Sequence, residues 1–233
     1  MPVRLYLICF FLVLSPTRAW AQPVDLPTPE MLFEQAAKAI GWNSEAKDVG
    51  RIEASANVTV EGRTYDTVVT SGISTPAGGD ARFTMISEDG TVTYGDTDGT
   101  IWFEGEDGER RTLTPAMAAF VHGHQFHRRA LFPAAELQTI DREVTIEEFA
   151  DELAFTVSGT TPAGARLKYF FSQRSKRMIG FHLVVEEETG PHPMDFILKD
   201  WRASGGETLF WRIDINDRGK IYVYRFNRIL LLP

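Results

Sequence analysis

Residues 81–108 run ARFTMISEDGTVTYGDTDGTIWFEGEDG. Three segments inside them, ARFTMIS, TVTYGD and TIWFEG, alternate apolar and polar side chains at period two, which places one set on each face of a strand. Asp89-Gly90, Asp98-Gly99 and Asp107-Gly108 separate or end these segments. Asp-Gly between alternating segments is a strong hairpin signal, because both residues tolerate the positive φ of a tight turn matched to strand twist. Its recurrence predicts an antiparallel meander.

The same period extends in both directions. RIEASANVTV (51–60) and TYDTVVTSGI (64–73) precede it, joined at Glu61-Gly62 and followed by a turn over Pro76 to Asp80. Before them a helix is expected. Thr28 is its N-cap, Pro29 its first residue and Glu30 sits near its positive end, while Met31, Leu32, Gln35, Ala36 and Ala39 form its stripe and Gly41 closes it. Thr114-Pro115 opens a second helical stretch, AMAAFVHGHQFHRRALF (116–132), ending at Pro133, and Gly123 makes two short helices as acceptable as one. A short helix is expected around Glu147 to Asp151. Strands then resume as LAFTVSG (153–159), RLKYFFS (166–172), MIGFHLVVE (178–186), MDFILKDWRAS (194–204), TLFWRIDI (208–215) and KIYVYRFNRI (220–229). The expectation is an α+β chain of about eleven strands with two helical insertions.

MIGFHLVV is apolar on both faces, with Met178 and Val184 on one and Ile179, Phe181, Leu183 and Val185 on the other. So few helices cannot cover both faces of such a sheet. It must curl and bury a concave side.

Residues 1–21 read as a cleavable secretory signal. Arg4 supplies the positive start, Leu5 to Leu14 the short apolar run, and Ala19-Trp20-Ala21 the cleavage site before Gln22. The run is too short to span a bilayer, which takes about 20 residues. Residues 22–233 are expected to be a single exported, soluble, monomeric domain in the periplasm. The formal net charge is −8, which argues against nucleic acid and against docking on anionic lipid. The one cysteine, Cys9, lies in the signal, so neither a disulfide nor a thiol nucleophile is expected, nor is lipidation at a cysteine with only this short lead before it.

Tyr94-Gly95, Asp98-Gly99 and Trp102, together with the leading helix, the interrupted meander and the return RLKYFFSQRSKRMIGFHLVV (166–185), resemble the LolA/LolB-like superfamily of periplasmic lipoprotein carriers from about Thr28 onward. The resemblance implies a strongly curved antiparallel sheet, an unclosed half-barrel with helices packed on its concave side. The ending YRFNRILLLP lacks the extended tail of a dedicated carrier, so a divergent relative is expected.

His122, His124 and His127 are candidate metal ligands, but ligands on one helical face recur at three or four residues, and His122 and His124 point apart. They are expected instead as a solvent-edge group beside Arg128 and Arg129, with no metal. Asp96, Asp98, Glu104, Glu106, Asp107 and Glu109 lie at hairpin ends, where turn chemistry accounts for them. No G-x-S-x-G, G-x-G-x-x-G or P-loop occurs, so no catalytic residue and no cofactor is expected. The apolar set carries more information. Phe83, Met85, Ile101, Phe103, Leu167, Tyr169 and Phe171 fall at alternate strand positions, and Phe120, Phe126 and Phe132 come from the insertion expected to face them. Plain core packing would account for more than half of these. The functional alternative is a cavity for lipid or lipoprotein acyl chains, with Phe83, Phe103, Tyr169 and Phe171 as wall and Phe120 and Phe126 as lid, where each buried CH₂ contributes about 0.8 kcal/mol. Two non-enzymatic readings stay open: a carrier of a lipidic ligand, and an envelope interaction or sensor module that binds a protein or lipoprotein segment.

Overall fold

A computed structural model describes residues 26–43, 49–73, 80–114, 117–187 and 189–233. The expected signal at 1–21, most of the Pro76–Asp80 turn and Pro115 lie outside them. Helix α1 (Pro29–Ala39) leads, followed by β1 (Arg51–Val60), β2 (Arg63–Gly72), β3 (Ala81–Ser87), β4 (Gly90–Thr97), β5 (Thr100–Glu104) and β6 (Arg110–Thr112). Helices α2 (Ala118–Gly123) and α3 (Phe126–Leu131) and a 3-10 turn (Pro133–Glu136) interrupt the sheet. It continues with β7 (Thr139–Ile140), β8 (Thr145–Phe149), β9 (Glu152–Thr160), β10 (Arg166–Ser172), β11 (Met178–Glu187), β12 (Gly190–Ser204), β13 (Glu207–Asp217) and β14 (Lys220–Leu232).

All strands belong to one 14-stranded antiparallel sheet, in the order β6-β5-β4-β3-β2-β1-β14-β13-β12-β11-β10-β9-β7, with β8 also on β9. Two meanders are thus joined by pairing of the first strand with the last, Arg51 opposite Leu232 and Val60 opposite Tyr222. The ends, β6 and β7, do not pair with each other, so the expected unclosed half-barrel with few helices is the architecture found.

The sequence undercounts the strands. The additional ones, β6, β7 and β8, are short, 3, 2 and 5 residues long. β8 also replaces the helix expected around Glu147 to Asp151. Ala150 and Asp151 both take positive φ, 51° and 64°, which ends any helix and makes a tight hairpin into β9. Phe149 then stacks on Phe170 of β10 at 3.9 Å, a contact that no local pattern announces.

The Tyr94-Gly95…Asp98-Gly99…Trp102 element has a packing explanation. Gly95 faces Trp102 across β4 and β5, and a Cβ on Gly95 would stand 2.2 Å from the indole Cζ2. The indole Nε1–H donates to Thr97 Oγ1 at 3.0 Å, and the Arg110 guanidinium lies 4.0 Å over the ring. Gly95→Ala is expected to push Trp102 out of this seat and to cost about 1–3 kcal/mol in urea unfolding, the range for overpacking. An unchanged midpoint would show that the indole has room to spare. Asp96 does more than turn chemistry. Its Oδ1 accepts the Gly99 N–H at 2.8 Å, and its Oδ2 is 2.7 Å from His122 Nε2, tying the hairpin to α2.

α1 is capped as expected, with Thr28 Oγ1 accepting the Met31 N–H at 3.4 Å. Its buried side is Pro29, Leu32 and Ala36, whereas Met31 of the expected stripe is 48% exposed. Phe33 meets Tyr169 and Phe171 edge-on at 6.3 and 5.8 Å. The second insertion is two helices, and it overturns the solvent-edge expectation. All six residues of α3 are buried, because such a short helix lies against the apolar face of the sheet with neighbours on every side. Phe126 packs against Phe196, Tyr224 and Phe226. His127 stacks on Phe210 at 4.2 Å, and Arg129 lies 4.8 Å over Phe181. Glu136 on the 3-10 turn is ion-paired to both Arg128 and Arg129 and offsets part of their charge.

Candidate functional site

A cavity of ≈ 610 Å³ lies between α2 and the sheet, within the roughly 300–1,000 Å³ typical of small-molecule sites. β2 contributes Tyr65, β3 Phe83 and Met85, and the α2 region Met117, Phe120 and His124. β11 adds Val185, Glu186 and Glu187, β12 His192, Met194 and Phe196, β13 Ile215 and Asp217, and β14 Tyr222 and Tyr224. Strand alternation aims residues 192, 194 and 196, and likewise 222 and 224, at the same side. The pairing of β14 with β1 brings the two meanders together around this space.

The interior is aromatic and apolar. The His124 ring stacks on Phe83 at 3.8 Å and meets Phe120 at 4.6 Å. Its Nδ1 is 2.8 Å from the Phe120 carbonyl oxygen, so Nδ1 carries the proton and donates it. Burial lowers the His124 pKa to about 4, which keeps the ring neutral at ordinary pH. Burial likewise pushes the Tyr65 and Tyr224 hydroxyls up, so both stay uncharged.

The mouth is different. Glu186 and Glu187 are exposed at the end of β11. His192 Nδ1 is 2.7 Å from Glu187 Oε1, and its Nε2 is 2.6 Å from Asp217 Oδ1. A neutral imidazole has one N–H, so donating to both carboxylates requires the imidazolium. Burial opposes that charge, but the hydrogen bonds to Asp217 and Glu187 outweigh it together and raise the His192 pKa.

Of the residues singled out in the sequence, Phe83, Met85, Phe120 and His124 line the cavity. Phe126 stands behind the wall, 5.5 Å from His124 and 5.2 Å from Tyr224. The others lie elsewhere. Ile101 packs with Ala81 and Val121 in a small separate cluster. Phe103 rests half-buried on Tyr94 at 5.1 Å. Phe132 meets Trp42 edge-on at 5.2 Å, beside the cluster around Ile40 and Leu209. Leu167, Tyr169 and Phe171 are buried in the main core. The sequence reading missed the β12 and β14 contributions, although the alternations His192-Met194-Phe196 and Tyr222-Tyr224 were there as a signal. Among the described residues, no group of three His, Cys, Asp or Glu could hold a metal ion, and no helix is long and apolar enough to cross a membrane.

No family model and no curated protein matches the sequence. Solved structures do match the fold. A LolA superfamily protein from Nitrosomonas europaea is 11% identical, with a TM-score of 0.57 over 89% of this chain and 95% of that one. A putative outer membrane lipoprotein-sorting protein domain from Vibrio parahaemolyticus is 9% identical, with a TM-score of 0.57 over 85% and 91%. A DUF1329 family protein from Desulfovibrio piger is 10% identical, with a TM-score of 0.50 over 87% and 92%. At such identities the likeness is one of architecture: the chain has the fold of LolA superfamily proteins.

Proposed function

We propose that this protein is an exported, non-enzymatic carrier or binder of a lipidic, acyl-chain-bearing ligand, held in the cavity between α2 and the sheet. The observation that carries this reading is the cavity itself, with its interior of Phe83, Met85, Phe120, Met194, Phe196 and Ile215. Apolar surface of that kind binds hydrocarbon without directional contacts, and methionine adapts to variable chain shapes. The leader pattern at 1–21 supports export to the periplasm, with residues 22–233 working there as one domain and as a monomer. LolA superfamily and lipoprotein-sorting architectures are compatible with such a role, although a shared fold alone does not assign it.

The alternative, an envelope interaction or sensor module that binds a protein or lipoprotein segment in the half-barrel, gains nothing from the β6 edge. The β6 edge is only three residues long, and its Arg110 and Arg111 are tied to Glu104 and Asp107. Short charged edges disfavour the pairing of an added strand.

The test is uptake of a fluorescent fatty-acid probe by the protein and by Met85→Glu. Met85 is half-buried on the wall, so water can reach a glutamate there and the fold is expected to survive. A bound chain would have to desolvate the carboxylate at a cost of several kcal/mol, so probe affinity is expected to fall at least about tenfold with the melting temperature nearly kept. Absence of uptake by the native protein would reject the carrier reading.

A further inference from the structure

We infer that the ligand carries a hydroxyl on its hydrocarbon part, and that His124 Nε2 inside the cavity receives it; the inference rests on the carrier reading above. The His124 ring is held among aromatic neighbours. It stacks on Phe83 at 3.8 Å, meets Phe120 at 4.6 Å and stands 5.5 Å from Phe126. Its Nδ1 lies 2.8 Å from the Phe120 carbonyl oxygen. A carbonyl only accepts, so Nδ1 holds the N–H, and in the neutral ring Nε2 is a bare acceptor. Nε2 has no hydrogen-bond partner among the described residues. The unpartnered polar atoms closed to solvent, such as the Gln125 amide and Trp211 Nε1, do not include it. The ring is otherwise deep enough for burial to lower its pKa to about 4. The space from which Nε2 is reached is therefore the cavity that His124 lines.

The polar groups at the mouth are met in other ways. Glu187 and Asp217 share His192, Arg218 stands 3.6 Å from Glu187, and Glu186 is exposed to water. Inside, an acceptor facing apolar space costs free energy when a chain covers it without supplying a hydrogen bond. That selects the chemistry of the chain. A plain hydrocarbon or an ether has no donor, and a carboxylate offers only acceptors. An ammonium would shed its hydration among Phe83, Phe120 and Phe196, which costs far more than one hydrogen bond returns. An amide N–H brings a carbonyl that must be desolvated beside it. A hydroxyl is neutral, donates one O–H and is no larger than a water molecule. Its oxygen keeps lone pairs for the hydroxyls of Tyr65 and Tyr224, which share the lining and stay protonated. The ligand class is thus a hydroxylated acyl or alkyl chain, with its own head group left at the wet mouth.

The experiment uses two isomers of one formula, 1-octanol and heptyl methyl ether, of which only the first has an O–H. Each displaces the uncharged fluorophore N-phenyl-1-naphthylamine from the native protein and from His124→Phe, with the fold followed by circular dichroism. Phenylalanine keeps the stack on Phe83 and removes the acceptor. Hydration of the isomers is the same for both proteins and cancels, so the quantity read is the change in the ratio of their competition constants. The advantage of octanol over the ether is expected to fall about fivefold in the variant. In the native protein the nitrogen NMR resonance of His124 Nε2 is expected to shift with octanol and to stay in place with the ether. This reads the same hydrogen bond without a substitution, should His124→Phe fail to fold. An unchanged ratio in the folded variant, or a resonance that octanol leaves in place, overturns the hydroxyl inference and leaves the cavity reading standing, with Nε2 a water site only. If the fluorophore does not bind and neither isomer moves the resonance, both fail together.

Discussion

Glu136→Gln is expected to destabilise the fold by about 3–5 kcal/mol, the range for breaking a buried ion pair by removing one partner. Arg128 and Arg129 are adjacent in sequence and each only 1% exposed, and Glu136 is 4% exposed between them. Its Oε1 is paired with Arg128, and its Oε2 stands 3.3 Å from Arg129 Nη2. The Arg129 side chain also donates to the carbonyls of His122 and Gly123. That satisfies N–H groups without supplying negative charge. Burial, and then the neighbouring Arg129 charge, lower the Arg128 pKa to about 10, a sign that the cations are held against a cost. Glutamine keeps the shape and much of the hydrogen bonding, so the loss reads charge and not a cavity. Arg128→Met is expected to cost less, because it leaves Arg129 and Glu136 one to one. Urea unfolding of both variants tests the ordering. The exposed pair Arg111–Asp107, at 2.9 Å, is the control and should contribute about 0–1 kcal/mol. If Glu136→Gln costs no more than that control, the cluster is not what pins α3 to the sheet.

This cluster also shows where the sequence stops being legible. The meander at 81–108 can be read locally, because Asp-Gly turns and period two are written within a few residues of each other. In the structure Asp98 and Gly99 take φ of 52° and 80°, as that turn requires. The burial of α3 cannot be read this way. HRRAL looks like a solvent-facing segment until Glu136, eight residues beyond Arg128 and placed by a Pro133-led turn, supplies the counter-charge. The cavity is intermediate. Its β3 wall, Phe83 and Met85, follows from alternation alone. Its β14 wall depends on the pairing of Val60 with Tyr222 and of Val58 with Tyr224. That choice of partner strand is made across most of the chain and leaves no local mark. Tyr169 and Phe171 show the converse: alternation identifies them as inward-facing but cannot say that α1, through Phe33, fills the space above them.

Acidification from about pH 6.5 to about pH 4 is expected to remove stability through the buried histidines, on the order of 3 kcal/mol for His127 alone. The His127 ring lies flat on Phe210 at 4.2 Å and edge-on to Phe226 at 4.5 Å. Its Nε2–H donates to the Phe210 carbonyl oxygen at 3.1 Å. Burial lowers its pKa to about 4, and the carbonyl bond recovers only part of that shift. In the unfolded chain the pKa is about 6.5. The folded value is the lower one, so the stabilisation is complete above about 6.5, declines as the unfolded state takes up a proton the native state refuses, and is lost once pH passes below about 4. His192 runs the other way. Its raised pKa gives stability that is full below the unfolded value and lost as pH rises through the folded one, so it cannot produce an acid-side decline. Paired carboxylates such as Glu147, lowered first by the Lys168 hydrogen bond, add their own loss below the usual carboxylate range. The measurement is therefore a difference. Unfolding free energies of the protein and of His127→Phe are compared from pH 7.5 to 4, phenylalanine being chosen to keep the stack on Phe210. The protein should lose ground to the variant steadily below about pH 6.5, while carboxylate effects cancel. A difference that stays flat across this interval would mean that His127 protonates freely in the folded state, and that its place among Phe210, Phe226 and the strand carbonyl is open to water.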